Sequence, residues 1–205
     1  LAGSSLRDMP SFGQWEETVL EHSFDYVDHI SIHTYLGNYS HSASFLASTD
    51  VMDGFIDEVI VLADAVAAKR RSKKRLMLNV WYRTRNEVAP AVDRWPMAPP
   101  ILEEIYTMED ALALRRHLHS LLNHADWVRV ACLAQLVNVI APIRTKTGGG
   151  AWRHTIFFPF SHMSRVGRGS ILHAQVETEA CYASYNNTDG RLVGLFQRLM
   201  CRISR

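Results

Sequence analysis

Val27-Asp28-His29-Ile30-Ser31-Ile32-His33, then a polar stretch, then the span opened by Asp50, then Leu76-Met77-Leu78-Asn79-Val80-Trp81-Tyr82: this order decides the fold. The first and last pieces are apolar and rich in β-branched or aromatic residues, as buried strands are. Between them Met52, Phe55, Ile56, Val59, Leu62 and Val66 recur at the helical period, with Asp50 as the expected cap. Strand, helix and strand in this order argue for an α/β parallel arrangement.

The pattern repeats on both sides. Ser11-Phe12-Gly13-Gln14 reads as a capping box opening a helix that runs to about His22. Tyr35 to Ser48 reads as a polar loop. The cations Lys69, Arg70, Arg71, Lys73, Lys74 and Arg75 gather where the long helix ends, where its dipole and solvent favour them. Thr84 to Pro100 is a loop with four prolines. Thr107 to Asp110 caps a further helix, with Ala111, Leu114, Leu118, Leu121 and Leu122 on one face. Trp127 to Leu136 is the third strand. Gly148, Gly149 and Gly150 break the chain, and Ile156 to His162 is aromatic, with Pro159 inside. Past about Ser170 the texture becomes short β-like pieces. Asn187-Thr188-Asp189-Gly190 suits a hairpin turn, and the tail from Gln197 no longer alternates cleanly.

Length and charge narrow the function. The chain has 205 residues, with 22 Lys+Arg against 21 Asp+Glu and a net charge of +1. This balance gives no electrostatic footprint for nucleic acid or a membrane surface. No apolar run reaches the length of a membrane span. Leu1 to Ser11 has neither a charged nor an apolar leader region, and a cytoplasmic location is expected. Cys132, Cys181 and Cys201 form no disulfide framework and no zinc motif. His117, His119 and His124 lack the spacing and carboxylate of a metal site. Neither a phosphate-cradling loop nor a Gly-x-Ser-x-Gly nucleophile motif occurs. No metal and no cofactor are expected.

In a (β/α) barrel the site forms where strands run out into their following loops. Three strand ends therefore matter. His33 and Tyr35, two apart on an extended segment, share one side; they could face the barrel mouth or pack as core. Trp81 and Tyr82 at a strand end could stack on a sugar, because one face of a sugar ring is apolar, or could serve packing alone. Gln135 is a polar residue in an apolar run. If buried, its amide must find partners, either backbone groups or a ligand hydroxyl.

These strand ends resemble the glycoside hydrolase family 51 α-L-arabinofuranosidases. The matching stretches are residues 3–10, 26–35, 69–74, 79–82, 132–142 and 148–153, in the family's order. The resemblance implies an α/β fold: the C-terminal part of a (β/α)8 barrel over 1–169, then the start of an all-β sandwich over 170–205. It implies an exo-acting, retaining hydrolase that releases terminal α-L-arabinofuranosyl units from arabinan and arabinoxylan, and a homo-oligomer is common in the family. By resemblance, His33 and Tyr35 lie at the sugar-binding end of a strand, and Tyr35 would hydrogen-bond the nucleophile. Trp81 would line the arabinose subsite, and Gln135 would hydrogen-bond a sugar hydroxyl.

The sequence departs from the family twice. The acid/base glutamate belongs to a strand before residue 3. The nucleophile belongs to a Phe-Asp-Glu-Trp run directly before Asn79-Val80-Trp81-Tyr82. Here Leu78 runs straight into Asn79, as though that run and one small residue before it were deleted. Glu87 lies near this strand's exit but cannot be assumed to replace the lost group, so no catalytic residue is assigned. Losing about five residues would shorten a strand by roughly 16 Å and exchange its faces on one side of the cut. The strand would then have to borrow residues from its flanks. A sugar-binding remnant without catalysis is the alternative function.

Overall fold

The computed structural model describes residues 1–38, 41–86, 97, 103–177, 181–182, 193–194 and 198–202; for 81, 83–86 and those from 173 onward it describes the backbone alone. Strand β1 (Ala2–Gly3) leads through a turn into helix α1 (Gln14–Ser23). The helix does not start at the Ser11 box. Gly13 takes φ 87°, and the Glu16 carboxylate accepts its N–H at 2.6 Å. The same carboxylate accepts the Ser5 N–H at 2.6 Å and hydroxyl at 2.8 Å. A buried carboxylate holding three donors outcompetes a serine cap, because charge-assisted bonds are the stronger ones.

Strand β2 (His29–Asn38) runs through Tyr35, Leu36 and Gly37, which the sequence assigns to a loop. The reason is pairing. Strand β3 (Met77–Asn86) matches it in parallel from His29↔Met77 to Asn38↔Asn86 without a break. A ten-pair ladder outweighs the poor strand propensity of Gly37 and Asn38. β3 continues past Tyr82 through Arg83–Asn86, beyond the strand end expected from the sequence. Glu87 and the Asn187–Gly190 turn lie outside the described residues.

Between these strands a short helix α2 (Ser42–Leu46) precedes helix α3 (Thr49–Lys69). Asp50 is not the cap, since the chain enters α3 at Ser48. Met52, Phe55, Ile56, Val59 and Val66 are buried as the period requires, and Leu62 is half-buried. The five buried residues share one core with Ile30, Ile32, Leu78, Val80 and Tyr82 of the sheet. The basic cluster at the end of α3 ties that helix back to α1 and the turn after it. Lys69 bonds Glu17 and Glu21, Arg70 bonds Asp25, and Lys74 reaches the Phe24 carbonyl at 3.2 Å.

Helix α4 (Met108–Asn123) has the expected cap: Asp110 accepts the Thr107 N–H at 2.7 Å and hydroxyl at 2.9 Å. Strand β4 (Val128–Leu133) follows, parallel to β3, ending before the expected Leu136. Between the Leu78↔Val128 and Asn79↔Val130 pairs the register slips, leaving Arg129 as an extra residue. The sheet order is β1-β2-β3-β4, all parallel, each step bridged by a helix. This is part of a (β/α)8 barrel.

Beyond β4 the architecture changes. Strands β5 (Ile143–Thr145) and β6 (Ala151–Arg153) form a hairpin around the glycine run. Helix α5 (Phe157–Val166) follows, and its Pro159 sits in the first turn, where a missing N–H costs nothing. Among the described residues four antiparallel pieces follow: β7 (His173–Glu177), β8 (Cys181–Tyr182), β9 (Val193–Gly194) and β10 (Arg198–Arg202). β10 pairs with β7, so most of the tail after Gln197 is a regular strand.

Candidate functional site

Alternation along β2 sorts its residues onto two faces, with Ser31 buried as well. Ile30, Ile32, Thr34 and Leu36 are buried, the isoleucines within the core against the helices. Ser31, His33 and Tyr35 take the opposite face. Parallel register extends that face across the sheet in rows: Ser31, Asn79 and Val130; then His33, Trp81 and Cys132; then Tyr35 and Arg83. Neighbours in a row are about 4.8 Å apart along the hydrogen-bonding direction.

The structure therefore places His33 and Trp81 side by side and Tyr35 one row nearer the strand ends. His33 is half-buried, with its Nε2 3.3 Å from the Ser31 hydroxyl. Tyr35 is half exposed. The Trp81 side chain lies outside the described residues. Gln135 lies just past β4, after the cis Ala134–Gln135 peptide, and the Ala134 N–H reaches the Tyr82 carbonyl at 3.5 Å. It is exposed, which corrects the buried-amide reading: β4 ends at Leu133, so position 135 has left the sheet. Its amide is open to solvent at the carboxyl end of the sheet, with donors and an acceptor available to a ligand.

Cys132 shares the central row. Burial pushes its thiol pKa up, so it is no activated nucleophile. Tyr82 faces the helices, and burial raises its pKa as well. Among the described residues no three His, Cys, Asp or Glu side chains converge on a metal position.

Several groups at this end escaped the sequence reading. Glu109, in the first turn of α4, accepts from the Asn38 amide at 2.9 Å and so closes over the end of β2. Glu104, in the connection from β3 to α4, is buried, and its N–H bonds the Val139 carbonyl at 3.1 Å. Glu103 pairs with Arg144 at 2.8 Å. In sequence all three read as acids near a helix start, and nothing local marks partners tens of residues away. A groove of about 670 Å³ lies elsewhere: it runs between α4, β4 and α5 beside Asp126 and Val128, at the amino end of β4.

With this geometry in place, comparison with known proteins is informative. Residues 78–192 match the family model described as the alpha-L-arabinofuranosidase C-terminal domain. The chain is 52% identical over 193 residues to an intracellular exo-alpha-(1->5)-L-arabinofuranosidase of Halalkalibacterium halodurans, covering 91% of this chain and 38% of that protein. It is 51% identical over 185 residues to the protein of the same name from Acetivibrio thermocellus, covering 86% and 37%. Among solved structures, a family 51 alpha-L-arabinofuranosidase from Bifidobacterium longum superposes with a TM-score of 0.73 at 37% identity, over 82% of this chain and 35% of that one. The chain thus spans little more than a third of the length of these relatives. On this family match, these identities and this shared fold, the chain belongs to the family 51 alpha-L-arabinofuranosidases.

Proposed function

We propose that this chain is the sugar-gripping part of an intracellular exo-α-L-arabinofuranosidase, and that on its own it binds terminal α-L-arabinofuranosyl units of arabinan and arabinoxylan without cleaving them. One observation carries this reading: no strand of the four-stranded sheet contains an aspartate or a glutamate. Retaining hydrolysis needs two carboxyl groups about 5–5.5 Å apart across the scissile bond, one as nucleophile and one as acid/base. Rigid strand ends hold such a pair to the required precision; the acids near this end, Glu103, Glu104 and Glu109, belong to the connection before α4 and its first turn.

What remains is binding chemistry. The His33 imidazole and Tyr35 hydroxyl meet sugar hydroxyls from β2. Trp81 on β3 offers an indole to the apolar face of the ring. Gln135 contributes an amide from the end of β4. Residues 1–169 act as the barrel part and residues 170–205 as the opening of a β-sandwich. The intracellular setting and the 1,5-linked preference rest on the names of the relatives.

The test is titration of the purified chain with L-arabinose and with an α-1,5-linked arabinan oligosaccharide. Saturable binding, weakened about five- to tenfold in His33→Ala and in Gln135→Ala, is expected if each removes one hydrogen bond to a sugar hydroxyl worth about 1–1.5 kcal/mol. Equal binding by both variants and the wild type would remove these residues from the site.

A further inference from the structure

We propose that Trp152, on the β5–β6 hairpin, is a second sugar-stacking platform that takes a neutral glycosyl unit of the polysaccharide beyond the terminal pentose; this rests on the function proposed above. The hairpin is the connection leaving β4, the class of loop that builds the rim of a (β/α) barrel site. It begins at Ile143, eight positions after Gln135.

Three described tryptophans can be compared. Trp127 is covered by the Arg75 guanidinium, 3.3 Å from its ring centre. Trp15, 51% exposed, is anchored through its Nε1–H to the Gly3 carbonyl at 3.2 Å. Trp152 is 50% exposed. Among the described residues nothing stacks on its ring, no cation covers it and its Nε1–H has no partner. Among these three, Trp152 alone offers a half-exposed ring that is neither covered nor tethered.

The loop beneath it is rigid. The Asn138 side chain accepts the Thr145 N–H at 2.7 Å and donates to the Thr145 hydroxyl at 2.9 Å. The Asn138 N–H bonds the Ile143 carbonyl at 2.7 Å, and the His154 N–H bonds the Pro142 carbonyl at 2.8 Å. Arg153 lies over the Phe157 ring at 4.8 Å. A platform fixed this way loses little entropy when a ligand lands on it.

Its neighbours suit a sugar. Arg144 is directly opposite Trp152 in the antiparallel register, so the two side chains share a face. The Arg144 guanidinium donates to the Val139 carbonyl at 2.9 Å and to Glu103 at 2.8 Å. An indole for the apolar face of a ring, with a guanidinium and a half-exposed carboxylate beside it for the hydroxyls, matches a neutral polyol ring.

The test is isothermal titration of the full chain with α-1,5-linked arabinohexaose and, separately, with L-arabinose. In Trp152→Ala the hexaose should bind about tenfold more weakly, the scale of one lost aromatic contact, while L-arabinose binds unchanged. Trp152→Phe should keep most of the hexaose affinity. Tyr26→Ala, which removes an exposed aromatic ahead of β2 at the opposite end of the sheet, should change neither ligand. Unchanged hexaose binding in Trp152→Ala, with wild-type binding intact, overturns this inference alone. Equal loss of both ligands in Trp152→Ala also overturns it, since the residue would then serve the pentose pocket. A wild-type chain that binds neither ligand overturns this inference and the proposed function together.

Discussion

His117 should make the fold sensitive to acid. It is fully buried on α4, with Nε2 3.4 Å from the Ser48 hydroxyl and its ring centre 6.5 Å from that of Tyr82. Burial, assisted by Arg116, lowers its pKa from 6.5 to about 3. The folded protein therefore holds this histidine neutral at pH values where the unfolded chain protonates it. Below pH 6.5 the unfolded state binds more protons, so stability falls as pH falls and levels off near pH 3. The slope approaches about 1.4 kcal/mol per pH unit. Integrating between these pKa values gives a loss of about 2 kcal/mol from pH 7 to pH 5 and about 3 kcal/mol to pH 4. Urea unfolding followed by tryptophan fluorescence at pH 7, 6 and 5 measures this. His117→Phe removes the titrating group and should flatten the dependence by about that amount, whatever it does to stability at pH 7. Parallel pH profiles for the two proteins would refute the assignment.

Three other substitutions test the packing. Phe55→Ala, at the centre of the helix–sheet core, should cost about 3–5 kcal/mol in unfolding free energy. Glu16→Ala removes the acceptor of three donors between the β1 turn and α1, and about 3 kcal/mol or more should be lost, read as a fall in melting temperature. Lys69→Ala breaks two surface ion pairs and should leave the melting temperature unchanged at physiological salt, because exposed pairs contribute little.

The sequence shows most plainly what depends on local pattern. The period of α3 and the Thr107–Asp110 cap are visible because each needs only neighbours along the chain. The parity of His33 and Tyr35 follows from strand geometry and puts both on one face of β2; which face that is depends on where the helices pack. Features set by distant partners are not visible. β2 continues through Gly37 and Asn38 because β3 is there to pair with, and β3 extends through Asn86 for the same reason. The entry to α1 moves to Gly13 because Glu16 also answers Ser5. Glu109 reaches the site end only through Asn38, and the β5–β6 hairpin shows no clean alternation to announce it. Gln135 is legible as a polar residue at a strand end, but its exposure is not, since that depends on where β4 stops.

The central claim is that this chain keeps sugar-binding walls without a pair of carboxylates to cut the bond. Incubation of the purified chain with an aryl α-L-arabinofuranoside, with released phenol followed over time, tests it most directly. The expected result is no release above the buffer rate from a preparation that still binds arabino-oligosaccharide; steady turnover that co-purifies with the chain and disappears in Glu109→Gln would contradict it.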